Sequence, residues 1–309
     1  MENFWIVARQ VWILFTLIGV GAVCRRIKMV DEASSRCMTN ILLYIVTPCL
    51  IVDAFQRPFE PTLLGQLGIA FGIAFLVHVA VITLAHLAVR RGDIRRTSVL
   101  KTAIVFSNAG FMGIPLEQAL FGEKGVFFGI VYVAMFNLFI WSWGLHTTRG
   151  VQERTHMRTL IFNPGTIGLG LGLLFFLLSV RLPDIVAQPV SMMAALNTPL
   201  AMLLIGYFLA GSNPVRVLVD PGALAVGVMR LLVAPLLLIA ALYPFRAHLD
   251  REMMLALVTA SSAPVAAMVA MFAAKFGRDV ELGVALVCGS TLASLVTMPA
   301  AVAFAMAVL

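Results

Sequence analysis

FSNAGFMGIP, residues 106–115, lies at the centre of an apolar stretch that covers about residues 97–120. The stretch is long enough for a membrane-spanning helix, because about 20 apolar residues cross a bilayer. A proline inside a helix removes a hydrogen-bond donor and clashes with the carbonyl four residues earlier, so the turn around Ile114 and Pro115 is predicted to kink or unwind. In lipid, broken backbone persists only where it is buried in protein or lines an aqueous cavity. The stretch therefore predicts an interrupted membrane helix with a polar centre.

The composition places this helix in a polytopic membrane protein. The chain has 309 residues, of which 61% are hydrophobic and 12% are charged, and the charged share is about half that of a typical soluble domain. We predict an all-α fold with ten transmembrane helices and connections too short to form a soluble domain. The ten segments cover about residues 4–23, 36–56, 62–88, 97–120, 125–147, 159–180, 186–211, 221–243, 253–274 and 280–308.

The basic residues are distributed unevenly between alternate loops. Loops after odd-numbered segments contain 15 lysines and arginines, and the loops on the other side contain 5. Positively charged loops stay in the cytoplasm, so both termini are predicted to lie outside, on the periplasmic side of the cell (inner) membrane. The net charge of +7 does not indicate a nucleic-acid partner, because the basic residues do not gather on one face.

Two halves of five segments would cross the membrane in opposite senses, which is the arrangement of an inverted repeat. A Thr-Pro pair recurs in segments 2 and 7, at Pro48 and Pro199, and a central proline recurs in segments 4 and 9, at Pro115 and Pro264. Coincidence is the alternative, because prolines are common in membrane helices. The predicted parts are a first five-helix repeat at 1–148, a cytoplasmic linker at 149–158 and a second five-helix repeat at 159–309.

Segments 4 and 9 both bring polar groups to the middle of the membrane. An opened helix presents backbone N–H groups and the partial positive charge of a helix N-terminus, which favours an anion as the ligand. The alternative is that the small residues only let helices pack closely, as is expected for the glycine-rich run Gly165–Gly172. The small and polar residues around the two central prolines are Ser107, Asn108, Gly110, Gly113, Ser261 and Ser262.

Three ionisable residues within the segments are candidates for coupling or ligand binding. Arg230 lies roughly 13 Å into segment 8 at 1.5 Å per residue, so it either contacts an anion or snorkels towards the interface. Glu117 and Asp53 follow the prolines of segments 4 and 2, and each is either a carrier of a proton or cation or a solvated residue at a mouth. His78 and His86 have no acidic or cysteine companions, so we predict interhelical polar contacts and no metal site.

Three runs resemble the auxin efflux carrier family, the bacterial relatives of the plant PIN proteins. They are SNAGFMGIPL at 107–116, NLFIWSWG at 137–144 and SSAPVAAMVAMFAAKFG at 261–277. The resemblance implies two inverted five-helix repeats, with helices 4 and 9 broken and crossing in the membrane. It also implies a scaffold of helices 1, 2, 6 and 7 and an elevator-like motion of the others. The substrate-binding residues expected from this resemblance and from the polar pattern are Asn108, Ala109, Gly110, Gly113, Pro115, Asn137, Ser261, Ser262 and Pro264.

The resulting prediction is a secondary active transporter, or a facilitator, of a small organic anion such as a mono- or dicarboxylate or an auxin-like acid. A proton or sodium ion is the expected coupling ion, the lipid bilayer is a partner, and a homodimer is left open. No enzyme activity and no cofactor are predicted, because neither a nucleophile–base pair nor a nucleotide-binding motif is evident. The alternatives are a sodium-coupled carrier similar to the bile acid symporters and a membrane sensor or scaffold that does not transport.

Overall fold

The computed structural model describes residues 2–57, 60–90, 92–149, 164–211 and 220–309. These residues form helices and one isolated β-bridge, without any strand, so the predicted all-α class is confirmed. The helices are α1 (Glu2–Arg26), α2 (Glu32–Ala54), α3 (Pro61–Ala88), α4 (Ile94–Val105), α5 (Ala109–Arg149), α6 (Pro164–Leu177), α7 (Asp184–Ala210), α8 (Pro221–Phe245), α9 (Arg251–Ser262), α10 (Ala267–Lys275) and α11 (Val280–Val308).

Seven helices of the described residues are long and apolar enough to cross a membrane: α1, α2, α3, α5, α7, α8 and α11. The polytopic class is therefore confirmed, while the count of ten and the inverted repeats stay predictions. Segments 4, 6 and 9 account for the difference. Among the described residues, segment 6 is the 14-residue helix α6, and segment 9 is divided between α9 and α10. Segment 4 is divided between α4 and the first limb of α5, residues 109–121. The second limb, residues 123–149, corresponds to segment 5, and the limbs meet at Gly122 with φ of 63°.

Wide π-helical turns precede three prolines of the membrane helices. In each pair the turn includes the residue four positions before the proline, whose carbonyl the proline ring would otherwise strike. The pairs are Leu42–Val46 before Pro48, Ala109–Gly113 before Pro115 and Met229–Val233 before Pro235.

The π turn before Pro115 shows that the break predicted at this proline is wrong. The turn around Ile114 and Pro115 is helical, because the π turn absorbs the clash. Segment 4 unwinds earlier, at residues 106–108, while segment 9 unwinds at residues 263–266, around Pro264 as predicted.

The chain divides into two compact units. Unit 1 comprises Met1–Trp12, Ala70–Thr155 and Ser212–Leu309, and unit 2 comprises Ile13–Ile69 and His156–Gly211. Each unit draws on both predicted repeats. Unit 2 contains α2, α6, α7, the C-terminal part of α1 and the first residues of α3, to Ile69. The scaffold of helices 1, 2, 6 and 7 that the resemblance implies stays a prediction. Apart from Arg149, the predicted linker at 149–158 lies outside the described residues.

Close helix packing in unit 2 depends on glycines. A methyl group on Gly206 of α7 would overlap the Ile18 carbonyl of α1, and one on Gly21 of α1 would overlap the Leu203 backbone. In α6, a methyl group on Gly168 would approach the Pro48 Cα to 3.0 Å, and one on Gly172 would approach the Phe55 ring to 2.8 Å. The packing role predicted for the glycine-rich run is therefore confirmed at Gly168 and Gly172, whereas a methyl group on Gly170 would meet nothing within 4 Å.

In unit 1, the two helices that lead into the breaks begin alike. The Asp93 carboxylate accepts the Arg95 N–H at 3.0 Å before α4, and Asp250 accepts the Met253 N–H at 2.9 Å before α9. Such N-caps satisfy donors that have no partner within the helix. The segments after the breaks also end alike, with Gly122 and Gly277 at φ of 63° and 60°.

Candidate functional site

The two breaks cross each other inside unit 1. The Asn108 N–H donates to the Pro264 carbonyl at 2.7 Å, and the Ala266 N–H donates to the Phe106 carbonyl at 2.9 Å. Ser107 and Val265 are the central pair of this short antiparallel bridge, and all of these residues are buried. Each break thus satisfies backbone groups that the other leaves open, which lipid could not do. We call these residues, 106–108 and 263–266, the crossing.

Four helix ends converge on the crossing and carry partial charges of opposite sign. The C-terminal ends of α4 and α9 present carbonyl groups and partial negative charge, whereas the N-terminal ends of α5 and α10 present N–H groups and partial positive charge.

Arg230 neutralises the negative ends. Its side chain is fully buried, and Nη1 donates to the Ile104 and Val105 carbonyls of α4 at 3.1 and 3.0 Å. Nη2 donates to the Ser261 carbonyl of α9. One planar guanidinium therefore joins the C-terminal ends of both interrupted helices. The snorkelling predicted as one alternative for this residue is wrong, because its charge is held by carbonyl groups in the interior.

The π turn of α8 positions this arginine. Arg230 is the second residue of the turn Met229–Val233, which accommodates Pro235. Nε has no hydrogen-bond partner among the described residues. The Tyr132 phenol lies close enough to interact with the guanidinium, and the Tyr132 ring packs at 4.8 Å from the ring of His78.

Two buried polar atoms at the crossing have no partner among the described residues: Ser107 Oγ and Asn108 Nδ2. Buried polar groups in folded proteins are nearly always hydrogen-bonded, so each of these atoms has unused hydrogen-bonding capacity. The first intrahelical bond of α5 runs from the Met112 N–H to the Asn108 carbonyl at 2.9 Å, and that of α10 runs from the Val269 N–H to the Ala266 carbonyl at 3.0 Å. In α10, the N–H groups of Ala267 and Met268 precede this first bond and have no acceptor within their own helix.

Most of the remaining residues of the predicted site in segments 4 and 9 form hydrogen bonds within a helix or allow helices to pack closely. Ser262 Oγ donates to the Thr259 carbonyl at 2.8 Å, within its own helix. A methyl group on Gly113 would approach the Ala260 Cα to 3.3 Å, so this glycine allows α5 and α9 to pack closely. Ala109 is buried directly after the break. Pro115 lies in the helical first limb of α5, beyond the crossing.

Asn137 lies in the second limb of α5 and is half-buried. Its Nδ2 donates to the Val133 carbonyl at 2.9 Å. The Val133 side chain lies 3.9 Å from the position that a methyl group on Gly110 would occupy. Asn137 is thus one turn away from a neighbour of Gly110, and its described hydrogen bond stays within its own helix. Asp53 belongs to unit 2, whereas the crossing belongs to unit 1.

Contacts of Ser290 and His78 differ from what the sequence predicts. Ser290 Oγ of α11 accepts the Val265 N–H at 3.0 Å. His78 Nδ1 lies 2.7 Å from the Ala74 carbonyl of its own helix, and its ring stacks on Phe139 at 5.1 Å. The sequence predicts an interhelical polar contact for His78, but its hydrogen bond lies within its own helix and Nε2 has no partner among the described residues. Nothing in the sequence distinguishes Ser290 from other small residues of a long apolar helix.

A multi-pass helical protein that buries unwound backbone where two interrupted helices cross has an arrangement that occurs in membrane transporters. A family model described as "Membrane transport protein" matches residues 6–302. The chain belongs to this family, the auxin efflux carrier family, and the resemblance seen in its sequence is confirmed. A protein described as "Uncharacterized transporter" from Methanothermobacter thermautotrophicus is 28% identical over 301 residues, covering 93% of this chain and 94% of the relative. The family and this relative both indicate transport and neither indicates catalysis.

Proposed function

We propose that this membrane transport protein is a secondary transporter, or a facilitator, of a small organic anion that binds at the crossing. The anion is a mono- or dicarboxylate or an auxin-like acid. One observation carries the proposal: Arg230 neutralises the carbonyl ends of α4 and α9. The N-terminal ends of α5 and α10 therefore give the crossing a positive balance, which favours an anionic guest.

A carboxylate suits the donors that the crossing offers. Asn108 Nδ2 and Ser107 Oγ are buried and open, and the first turns of α5 and α10 supply backbone N–H groups. Ala267, in the first turn of α10, is half-buried. Hydrogen bonds to an ionised acceptor are roughly twice as strong as those between neutral groups, so a few convergent donors can replace the hydration of the anion.

Alternating access would follow an elevator-type motion. The crossing and the helices that form it all belong to unit 1, so a movement of that unit would carry an intact binding site. The inverted repeat is supported by the like features of the two halves, which include the N-caps Asp93 and Asp250 and the turns at Gly122 and Gly277. The proposed topology has ten helices in the cell membrane and both termini outside.

Reconstitution into liposomes tests the proposal. Exchange of labelled mono- and dicarboxylates is measured without a gradient, and then with proton and sodium gradients imposed in turn. Loss of a hydrogen bond to a charged ligand costs about 1.5–3 kcal/mol, so Asn108→Ala is expected to weaken anion transport about 10- to 100-fold. Asn40→Ala is the matched control, because Asn40 is exposed. Equal transport by Asn108→Ala and the parent would show that the site lies elsewhere, and a sodium requirement would favour the symporter-like alternative.

A further inference from the structure

Glu117 is a carboxyl group buried without a partner in the first limb of α5. Its side chain is fully buried, and neither Oε1 nor Oε2 has a hydrogen-bond partner among the described residues. The transport site described above does not use it. A buried carboxylate without a compensating donor is among the most costly arrangements in a protein interior.

Two glycines form a recess for this carboxyl group. A methyl group on Gly129, in the second limb of α5, would overlap the Glu117 carboxylate. A methyl group on Gly113, one turn before Glu117, would lie 3.5 Å from Oε1 and 3.3 Å from the Ala260 Cα of α9. The limbs of α5 and the facing helix α9 therefore enclose the carboxyl group with backbone and apolar side chains.

The charged groups of α9 and of the corner between the two limbs are engaged elsewhere. Lys124 Nζ lies 2.7 Å from Asp250 Oδ2 and 3.0 Å from Glu252 Oε2, at the opposite end of α9 from Ala260. Arg251 donates to the Met306 carbonyl at 2.7 Å. These groups form a separate cluster about 8 residues, or roughly 12 Å of helix, from Ala260.

The second limb and α8 present no carboxyl partner either. Tyr132 lies one turn beyond Gly129 and interacts with Arg230. The Arg230 guanidinium donates to three carbonyl groups of α4 and α9. No donor from these elements forms a hydrogen bond with either Glu117 carboxyl oxygen.

We infer that Glu117 is the proton-binding site of this transporter and that the protein moves its anion together with a proton. This inference rests on the proposed function. In the conformation described here the recess holds the protonated, neutral carboxyl group. When the recess opens to water on one side of the membrane, the O–H bond breaks and the proton passes to water. The carboxylate takes up a proton from water before it is buried again.

The position of Glu117 links the proton to the anion. Glu117 lies in the limb that begins directly after Asn108, nine residues further on and roughly 13 Å along the helix. Both sites therefore belong to unit 1 and travel with it. A neutral Glu117 also keeps a negative charge away from the helix that offers its N-terminus to the anion, so protonation favours anion binding.

The test compares Glu117→Gln with Glu123→Gln, whose carboxyl group is exposed on the same helix. The first measurement is infrared absorption of a protonated carboxyl group in purified protein at neutral pH, which needs no substrate. The band is expected in the parent and in Glu123→Gln and is expected to be absent from Glu117→Gln. A band that persists in Glu117→Gln, or that is missing from the parent, would overturn the inference. Glu117→Met takes its place if the glutamine variant does not insert.

The second measurement is anion accumulation in liposomes under an imposed pH gradient. One proton per monoanion allows about tenfold accumulation for each pH unit in the parent and in Glu123→Gln. Glu117→Gln is expected to lose this accumulation, and its exchange should no longer depend on pH. Proton-driven accumulation by Glu117→Gln would contradict the inference. If the parent exchanges no anion at all, the proposed function fails, while the infrared band still decides whether Glu117 binds a proton.

Discussion

Replacing Arg230 with methionine should separate the two interrupted helices. The substitution keeps an unbranched apolar side chain of comparable reach and removes the guanidinium that joins α4 to α9. The Ile104, Val105 and Ser261 carbonyls would then lose their buried donor. Arg230→Lys is the companion variant, because an ammonium keeps the charge but lacks the planar fork that reaches both helix ends.

The expected loss of stability follows from these contacts. Each buried acceptor left without a donor costs about 1–3 kcal/mol, and three acceptors are affected. Part of this cost is offset because a buried charge, which is itself expensive by several kcal/mol, is also removed. We expect a net decrease of about 3–5 kcal/mol in the free energy of unfolding for Arg230→Met. Arg230→Lys should lose most of the same free energy.

Reversible unfolding by SDS in mixed micelles, followed by circular dichroism, measures this quantity. Arg246→Met is the matched control, because Arg246 also donates to a backbone carbonyl, that of Tyr243 at 3.0 Å, but is exposed. The control is expected to change stability by less than about 0.5 kcal/mol. If Arg230→Met were no less stable than Arg246→Met, the guanidinium would not hold the crossing together, and the electrostatic basis of the anion site would fall with it.

Two further predictions concern packing and pH. The valine side chain of Gly206→Val should overlap the Ile18 carbonyl and lower the free energy of unfolding by about 1–3 kcal/mol or more. Gly19→Val is the control, because a methyl group on Gly19 would meet nothing within 4 Å. Equal unfolding midpoints for the two variants would refute the close packing. The Arg96 guanidinium, at 2.5 and 2.7 Å, holds the pKa of Asp220 below its ordinary 3.8. Stabilisation by this pair is therefore present above pH 3.8 and lost as pH falls through the lower native pKa. At neutral pH, Asp220→Asn should lower the free energy of unfolding by less than about 1 kcal/mol, because this pair is partly exposed. The difference between variant and parent should vanish in acid. A difference that does not change with pH would contradict a stabilising ion pair between Arg96 and Asp220.

The sequence predicted the interruptions better than their positions. In segment 9 the break and its proline coincide, since Pro264 lies in the unwound residues. In segment 4 the prediction relied on Pro115, but the π turn Ala109–Gly113 accommodates that proline. The unwound residues 106–108 lack a proline of their own and are held by hydrogen bonds to residues more than 150 positions away. Such long-range pairing has no local signal.

The candidate site shows the same limit. Asn108 is predicted from its place beside the central proline of segment 4 and from the family resemblance, and its buried Nδ2 has no partner among the described residues. Asn137 gave a similar signal, yet its amide bonds within its own helix, a choice that sequence does not reveal. The recess around Glu117 depends on Gly113 and Gly129, which face each other only because the chain turns at Gly122. Periodicity along one helix cannot predict a contact across a corner.

The guanidinium that joins α4 to α9 also sets an order for biosynthesis. The carbonyl groups at the end of α4 depend on a side chain 125 and 126 positions further along the chain. During translation these groups emerge long before Arg230, and the backbone of α9 emerges later still. Until both arrive, the interrupted helix must find temporary donors in the translocon, in water or at the membrane surface. The N-terminal half should therefore be a poor substrate for independent insertion, and the assembly of the crossing should be a late event in the maturation of the protein.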